Sequence, residues 1–402
     1  MDTSAVLEAE AAAVSVAIVE RLSSLYPDGA PLHEPSIGGN AWDYVKECLD
    51  TGWVSSAGKF VDRFEQELAA FTGASHVVAT VNGTAALHSC LILAGVDQGD
   101  EVIVPAMTFV ATANAVSYCG AVPHLVDSEL ATLGMDPGKL AAHLLDCADI
   151  SDGACINRQT GRRISAAICM DTLGHPADYD RLAKICDDAN IALIDDAAEA
   201  LGSYSNGAHV GSNARLAALS FNGNKIATTG GGGAILTNDP DLAARARSLT
   251  TTAKRSHAWE FTHDAVGYNY RIPNINAALG CAQLEQMPDF LSAKRTLANC
   301  YMDLFSDLSG VTIIREPQHA RSNYWLNAIL LDPRIAGARD DILQKTNGLG
   351  IQTRPAWTPM HRLPMYETAP RSDLSVAEEL FDCLIDLPSG AALAPAEMRK
   401  ES

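Results

Sequence analysis

No Cys-x-x-Cys pair occurs anywhere in the 402 residues, although ten cysteines are scattered from Cys48 to Cys383. Without paired spacing they read as small buried hydrophobes in a reducing compartment, and no metal ligand is expected among them. Positive charge is also scarce. Lys and Arg number 29 against 49 Asp and Glu, a net charge of −20 that repels phosphate backbones and anionic membranes. Neither nucleic acid nor membrane is therefore expected as a partner. Long apolar runs are missing as well. The stretch Ala11–Val19 is interrupted by Ser15 and preceded by Glu8 and Glu10, which suits neither a signal peptide nor a membrane span. A soluble, cytoplasmic location is expected. What remains is an ordinary globular composition, 47% hydrophobic and 19% charged, with length enough for two or three domains.

Residues 1–25 have the pattern of an amphipathic helix, and a Pro/Gly-rich bridge from Pro27 to Gly39 leads to a second helical stretch around Trp42–Leu49. From His76 onward, short apolar runs at 76–81, 101–106, 122–127, 164–171, 191–197, 216–221 and 234–238 alternate with helical patterns. Continuous apolar strands between helices predict a mainly parallel sheet covered on both faces. No helix separates 216–221 from 234–238, so one antiparallel connection is expected there. A long helix over 275–308 then leads to a smaller α+β unit with strands at 311–315 and 324–332, a helix near 340–347 and an extended segment at 351–355. The expected division is 1–279, a large domain with an N-terminal helical extension, and 280–402, a small C-terminal domain.

Four local signals bear on chemistry. Asn82-Gly83-Thr84 lies between a strand and a helix, where free N–H groups and the helix dipole suit a phosphate; an ordinary helix cap would look the same. Asp195-Asp196, with Glu199, ends an apolar strand, the usual ligand side of an open α/β sheet. Adjacent strand residues point to opposite faces, so only one of the two acids can serve a given pocket. Lys225, one of nine lysines, follows Ser220 in a small, polar, Gly-rich loop; lysine is the Schiff-base side chain, although loop lysines are usually solvated. The run Gly230–Gly233 lacks both the dinucleotide-binding spacing and the P-loop ending. Asn269, between Tyr268 and Tyr270, is the fourth. In this order, a phosphate-binding helix start, a strand-end acid and a lysine 29 residues beyond Asp196 are the parts of a pyridoxal phosphate (PLP) site.

On the segments GWVSSAGKFVDRFE (52–65), NGTAAL (82–87), GDEVIVPAMTFVATANAV (99–116), GHPAD (174–178), LIDDAAEALGS (193–203), LSFNGNKIATTGGGG (219–233), GYNYR (267–271) and PMHRLPMY (359–366), the chain resembles the DegT/DnrJ/EryC1/StrS sugar aminotransferases. Its details look most like the branch that makes amino sugars for legionaminic-acid-type or bacillosamine-type glycans. The resemblance spans about Gly38 to Pro388. It implies an aspartate-aminotransferase-like (fold type I) enzyme with PLP as cofactor and pyridoxamine phosphate as its alternate form. Lys225 then matches the Schiff-base lysine and Asp196 the acid that pairs with the pyridine nitrogen. Gly83, Thr84 and Ser220 match phosphate contacts, Phe109 an aromatic over the cofactor face, and Asn269 a residue reaching the partner's cofactor phosphate across a homodimer. Trp53, Lys59, Arg271 and His361 are the expected substrate contacts.

Two positions depart from the family. Glu199 stands where members often have Gln or His near the cofactor's phenolic oxygen, and Gly231 where many have Glu. Lysine at 225 argues against the family's sugar dehydratases, which carry histidine there. The implied reaction moves an amino group from L-glutamate to C4 of a nucleotide-linked 4-keto-6-deoxy sugar, with UDP-4-keto-6-deoxy-N-acetylglucosamine as the specific expectation. A 3-keto sugar or cyclitol ketone as acceptor, or a PLP-binding regulatory protein without turnover, are the alternatives.

Overall fold

A computed structural model describes residues 3–151 and 153–395. The apolar runs form a seven-stranded sheet: β1 (His76–Thr80), β2 (Glu101–Pro105), β3 (Val122–Val126), β4 (Ile164–Met170), β5 (Ala192–Asp196), β6 (Leu216–Ser220) and β7 (Gly233–Thr237). Their spatial order is β1-β7-β6-β5-β4-β2-β3. The pairs among β6, β5, β4, β2 and β3 are parallel. The reversed strand is β7, which lies antiparallel between β6 and β1 and supplies β1 with its ladder, Val78 opposite Ile235. Helices α4 (Gly83–Leu93) and α5 (Val110–Tyr118) pack on one face, while α6 (Pro137–Cys147) and α7 (Tyr179–Asp188) close the other through Leu140, Leu144, Leu182 and Cys186. With both faces covered, β2 and β4 are buried at every position, which explains why they read as unbroken apolar runs rather than alternating ones.

The small sheet is antiparallel, with β8 (Val311–Ile313), β9 (Asn327–Leu331), β10 (Arg354–Pro355) and β11 (Leu384–Leu387) in the order β8-β9-β11-β10. Its core includes Leu297, Tyr301, Ile329 and Ile385. The N-terminal helix α1 (Thr3–Leu25) joins this core through Val14, Ile18 and Leu22, although in sequence it is an extension of the 1–279 segment. Periodicity shows that a helix has an apolar face but not which sheet receives it.

Two other expectations shift for local reasons. The single helix over 275–308 is two helices, α9 (Asn274–Leu284) and α10 (Met287–Leu304), because Pro288 fits the first turn of a helix and not its interior. The strand expected from 324 begins only at Asn327, because Tyr324 is in the left-handed region at φ 48° and breaks the extended run. That break lets Trp325 turn toward Lys225 at the edge of the seven-stranded sheet.

Candidate active site

The C-terminal ends of β4, β5 and β6, the N-terminus of α4, and Trp325 and Trp357 from the C-terminal part of the chain enclose a cavity of about 320 Å³. Gly83, Thr84, Phe109, Asp196, Glu199, Ser220 and Lys225 all line it. Strand pleating separates the two acids as expected. Asp195 lies on the Cys169 side, 3.8 Å from its Sγ, and Asp196 faces the cavity.

Asp196 is fully buried. Its Oδ2 accepts a 2.8 Å bond from the Thr112 hydroxyl, itself 2.9 Å from that of Thr108, and its Oδ1 accepts from the Ala198 N–H at 3.3 Å. Burial pushes this carboxyl above the usual range, while the Thr112 bond and the charge of Lys225 pull the other way. A cation arriving from the cavity would complete its pairing.

The Lys225 ammonium makes its contact with Glu199 instead. Nζ lies 3.1 Å from Glu199 Oε1 with the side chains only 12% and 1% exposed, and Glu199 Oε2 accepts from the Leu173 N–H at 2.9 Å. Burial raises the Glu199 carboxyl to about 7 against the pull of Lys225. Lys225 Nζ also sits 4.0 Å from the centre of the Trp325 ring, and the indole N–H is fixed by a 2.8 Å bond to the Asn224 carbonyl. The ammonium is thus confined between a carboxylate and an aromatic face at the mouth of its own loop.

At the other end of the cavity, Asn82 caps α4 through a 2.7 Å bond from the Ala85 N–H. A Cβ on Gly83 would lie 2.8 Å from the Ser220 Cβ, so glycine is required for the helix start to sit against the serine. The first-turn N–H groups of α4 and the Ser220 hydroxyl therefore converge on a space that suits a phosphate. A phosphate cradle at one end, a buried acid lacking a cation and a confined lysine fit PLP. Behind the glycine run, Asn276 donates to the Thr229 carbonyl at 2.7 Å and to the Gly231 carbonyl at 3.3 Å, which holds the loop.

A family model described as the DegT/DnrJ/EryC1/StrS aminotransferase family matches residues 35–400. The chain belongs to that family. It is a PLP-dependent aminotransferase, as the sequence analysis expected. It is 37% identical over 365 residues to a GDP-perosamine synthase of Caulobacter vibrioides, covering 90% of this chain and 94% of the relative. Among solved structures, the aminotransferase TlmJ from Streptoalloteichus hindustanus superposes with a TM-score of 0.82 at 28% identity, covering 92% and 96% of the two chains. A structure of DesI with its TDP-sugar product gives 0.80 at 28%, covering 93% and 91%.

The four expected substrate contacts do not line the cavity, and Asn269, expected to serve the partner's site, lies outside it as well. Asn269 is exposed and bridges to Thr251. Arg271 is largely covered and ion-paired with Glu65. Trp53 and Lys59 line a separate hollow of about 480 Å³, and Lys59 pairs with Glu47. His361 is bonded to Glu378. Conversely, Thr112, Trp325 and Trp357 belong to the site and were not singled out from sequence. Thr112 had a readable signal, three residues past Phe109 at the start of a helix that follows a strand. The two tryptophans had none, because they come from segments a hundred residues or more beyond Lys225. Among the described residues, no helix is long and apolar enough to cross a membrane.

Proposed function

We propose that this aminotransferase carries an amino group from L-glutamate to C4 of a nucleotide-linked 4-keto-6-deoxy sugar. The observation that carries the reading is the convergence of Lys225, Asp196 and the α4 N-terminus on one cavity. A relative named dTDP-4-dehydro-2,3,6-trideoxy-D-glucose 4-aminotransferase, 31% identical over 384 residues, supports amination at that carbon. The similarity to GDP-perosamine synthases favours a guanosine diphosphate carrier over the uridine carrier expected from sequence.

PLP, when bound, supplies an electron sink that lets an amino group and a proton leave one substrate and enter another. In this reading, Gly83, Thr84 and Ser220 hold its phosphate, Asp196 keeps its ring nitrogen protonated and Phe109 covers one face. Lys225 Nζ binds the cofactor between turnovers and moves the proton to and from the substrate carbon. Glu199 and Trp325 hold that amine in place. Phe109, half exposed, leaves the cavity open toward solvent on its side, and Asn269 stands on the surface. Both features support a homodimer in which Asn269 completes the partner's phosphate site.

The test incubates the holoenzyme with L-glutamate and GDP-, UDP- or dTDP-linked 4-keto-6-deoxyhexoses, including the UDP-linked N-acetyl sugar. Formation of 2-oxoglutarate and the 4-amino sugar is followed. The expected result is turnover with one nucleotide carrier preferred, lost in Lys225→Ala. Multiple turnovers by Lys225→Ala, or amination of only 3-keto or carbocyclic acceptors, would overturn the reading.

A further inference from the structure

On the far side of the sheet from the cavity, three potential metal donors converge. His124 lies within β3 and is 1% exposed. His143 and Cys147 are four residues apart on α6 and so share one helix face. The His124 and His143 Nε2 atoms are 2.7 Å apart, and the donor atoms of all three residues lie within 4.8 Å of one another. A carboxylate orients the first imidazole: His124 Nδ1 is 2.9 Å from Oε2 of fully buried Glu101. Glu101 also accepts from Asn157 Nδ2 at 2.8 Å and Thr160 Oγ1 at 2.6 Å. These three bonds hold the Glu101 side chain in place behind His124. With the His124 Nδ1–H donating to Glu101, the lone pair of His124 Nε2 points at His143.

We propose that His124, His143 and Cys147 form a binding site for a divalent cation of the zinc class. Glu101 fixes the tautomer of His124 from behind, the carboxylate–histidine–metal arrangement that tunes zinc ligands. Two imidazole nitrogens each about 2.05 Å from a tetrahedral Zn²⁺ stand about 3.3 Å apart. The imidazoles must therefore part by about 0.6 Å and exchange their mutual hydrogen bond for the metal. Binding moves the His143 proton to Nδ1 and releases the Cys147 thiol proton to solvent. The ion, the thiolate and Glu101 then sum to zero, so the buried site holds no uncompensated charge. His143, half-buried, is the entry side and leaves the fourth position to water. None of these residues lines the active-site cavity, so the ion would clamp α6 to the sheet rather than take part in amino transfer.

The experiment titrates tag-free holoenzyme with Co²⁺, then Zn²⁺, by difference absorption and calorimetry, with amino transfer measured in parallel. One Co²⁺ per chain is expected, with a thiolate-to-cobalt charge-transfer band that Zn²⁺ abolishes. Cys147→Ser should lose the band and His143→Gln should bind Zn²⁺ at least tenfold more weakly, both keeping transaminase activity. Should the buried Cys147→Ser variant not fold, His143→Gln carries the test. No saturable uptake by the wild type, or the same affinity in His143→Gln, would overturn the proposal and leave an imidazole pair joined by a hydrogen bond alone. Transaminase activity reads the active site separately, so failure of either conclusion leaves the other standing.

Discussion

Glu65 on α3 (Lys59–Thr72) gives the sharpest test of how the structure assigns Arg271. Its side chain is 8% exposed and pairs with Arg271, which is 10% exposed, and at 2.9 Å with Arg247, which is 48% exposed. Oε1 also accepts the Ala79 N–H of β1 at 2.8 Å. Glu65→Gln preserves the shape, and its carbonyl keeps the bonds from Ala79 and Arg271, but it removes the negative charge and turns an amide N–H toward Arg247. The half-exposed Arg247 pair is worth about 0–1 kcal/mol. Leaving the largely covered Arg271 charge uncompensated costs up to about 3 kcal/mol, the low end for a buried pair, and that term decides the outcome. Divided by an m-value of about 3 kcal/mol/M, it moves the urea midpoint down by up to about 1 M. Replacing both partners removes the stranded charge, so Glu65→Gln with Arg271→Met should recover at least half of the loss. The measurement is equilibrium unfolding of the four proteins at fixed saturating PLP, with steady-state kinetics alongside. If Arg271→Met left the midpoint unchanged and raised KM for the keto sugar manyfold, Arg271 would be a substrate contact and the pairing argument would fail.

Gly83→Ala forces a methyl group to within 2.8 Å of the Ser220 Cβ and should weaken PLP binding at least tenfold by equilibrium dialysis, overpacking costing about 1–3 kcal/mol; an unchanged Kd would remove this turn from the phosphate site. Glu199→Gln should erase a limb near pH 7 from the kcat profile, since below about 7 the wild-type carboxyl takes up a proton and no longer balances Lys225. The same residue marks apoprotein stability. Its folded value is raised above the ordinary 4.5, so the folded state holds the extra proton and stability falls as pH climbs from about 4.5 to 7. The Gln variant should lack that slope in pH-dependent denaturation.

The seven-stranded sheet was legible because burial on both faces writes its strands as apolar runs, and the site because a strand-end acid and a loop lysine stand out against a chain with nine lysines. The separation of Asp195 from Asp196 followed from the two-residue period of a strand alone. What was not legible depends on long-range docking. Trp325 reaches Lys225 only because the chain turns at Tyr324, and α1 could have covered either sheet. Arg271, Trp53, Lys59 and His361 were placed by resemblance, and three of them have an acid as their nearest partner, Glu65, Glu47 and Glu378 respectively for Arg271, Lys59 and His361. The His124–His143–Cys147 cluster was invisible because a strand and a helix 19 residues apart meet only after folding.

The reversed strand β7 has a consequence for synthesis. β1 leaves the ribosome early, yet its ladder partner spans Gly233–Thr237, about 150 residues downstream. At about 5–20 residues per second, the nascent chain carries His76–Thr80 without that partner for roughly 8 to 30 seconds. Its following turn, Asn82–Thr84, cannot take its final position against Ser220 and Gly233 until the same moment. The cofactor's phosphate cradle is therefore among the last parts of the large domain to exist during translation, and an apolar strand must be shielded while it waits.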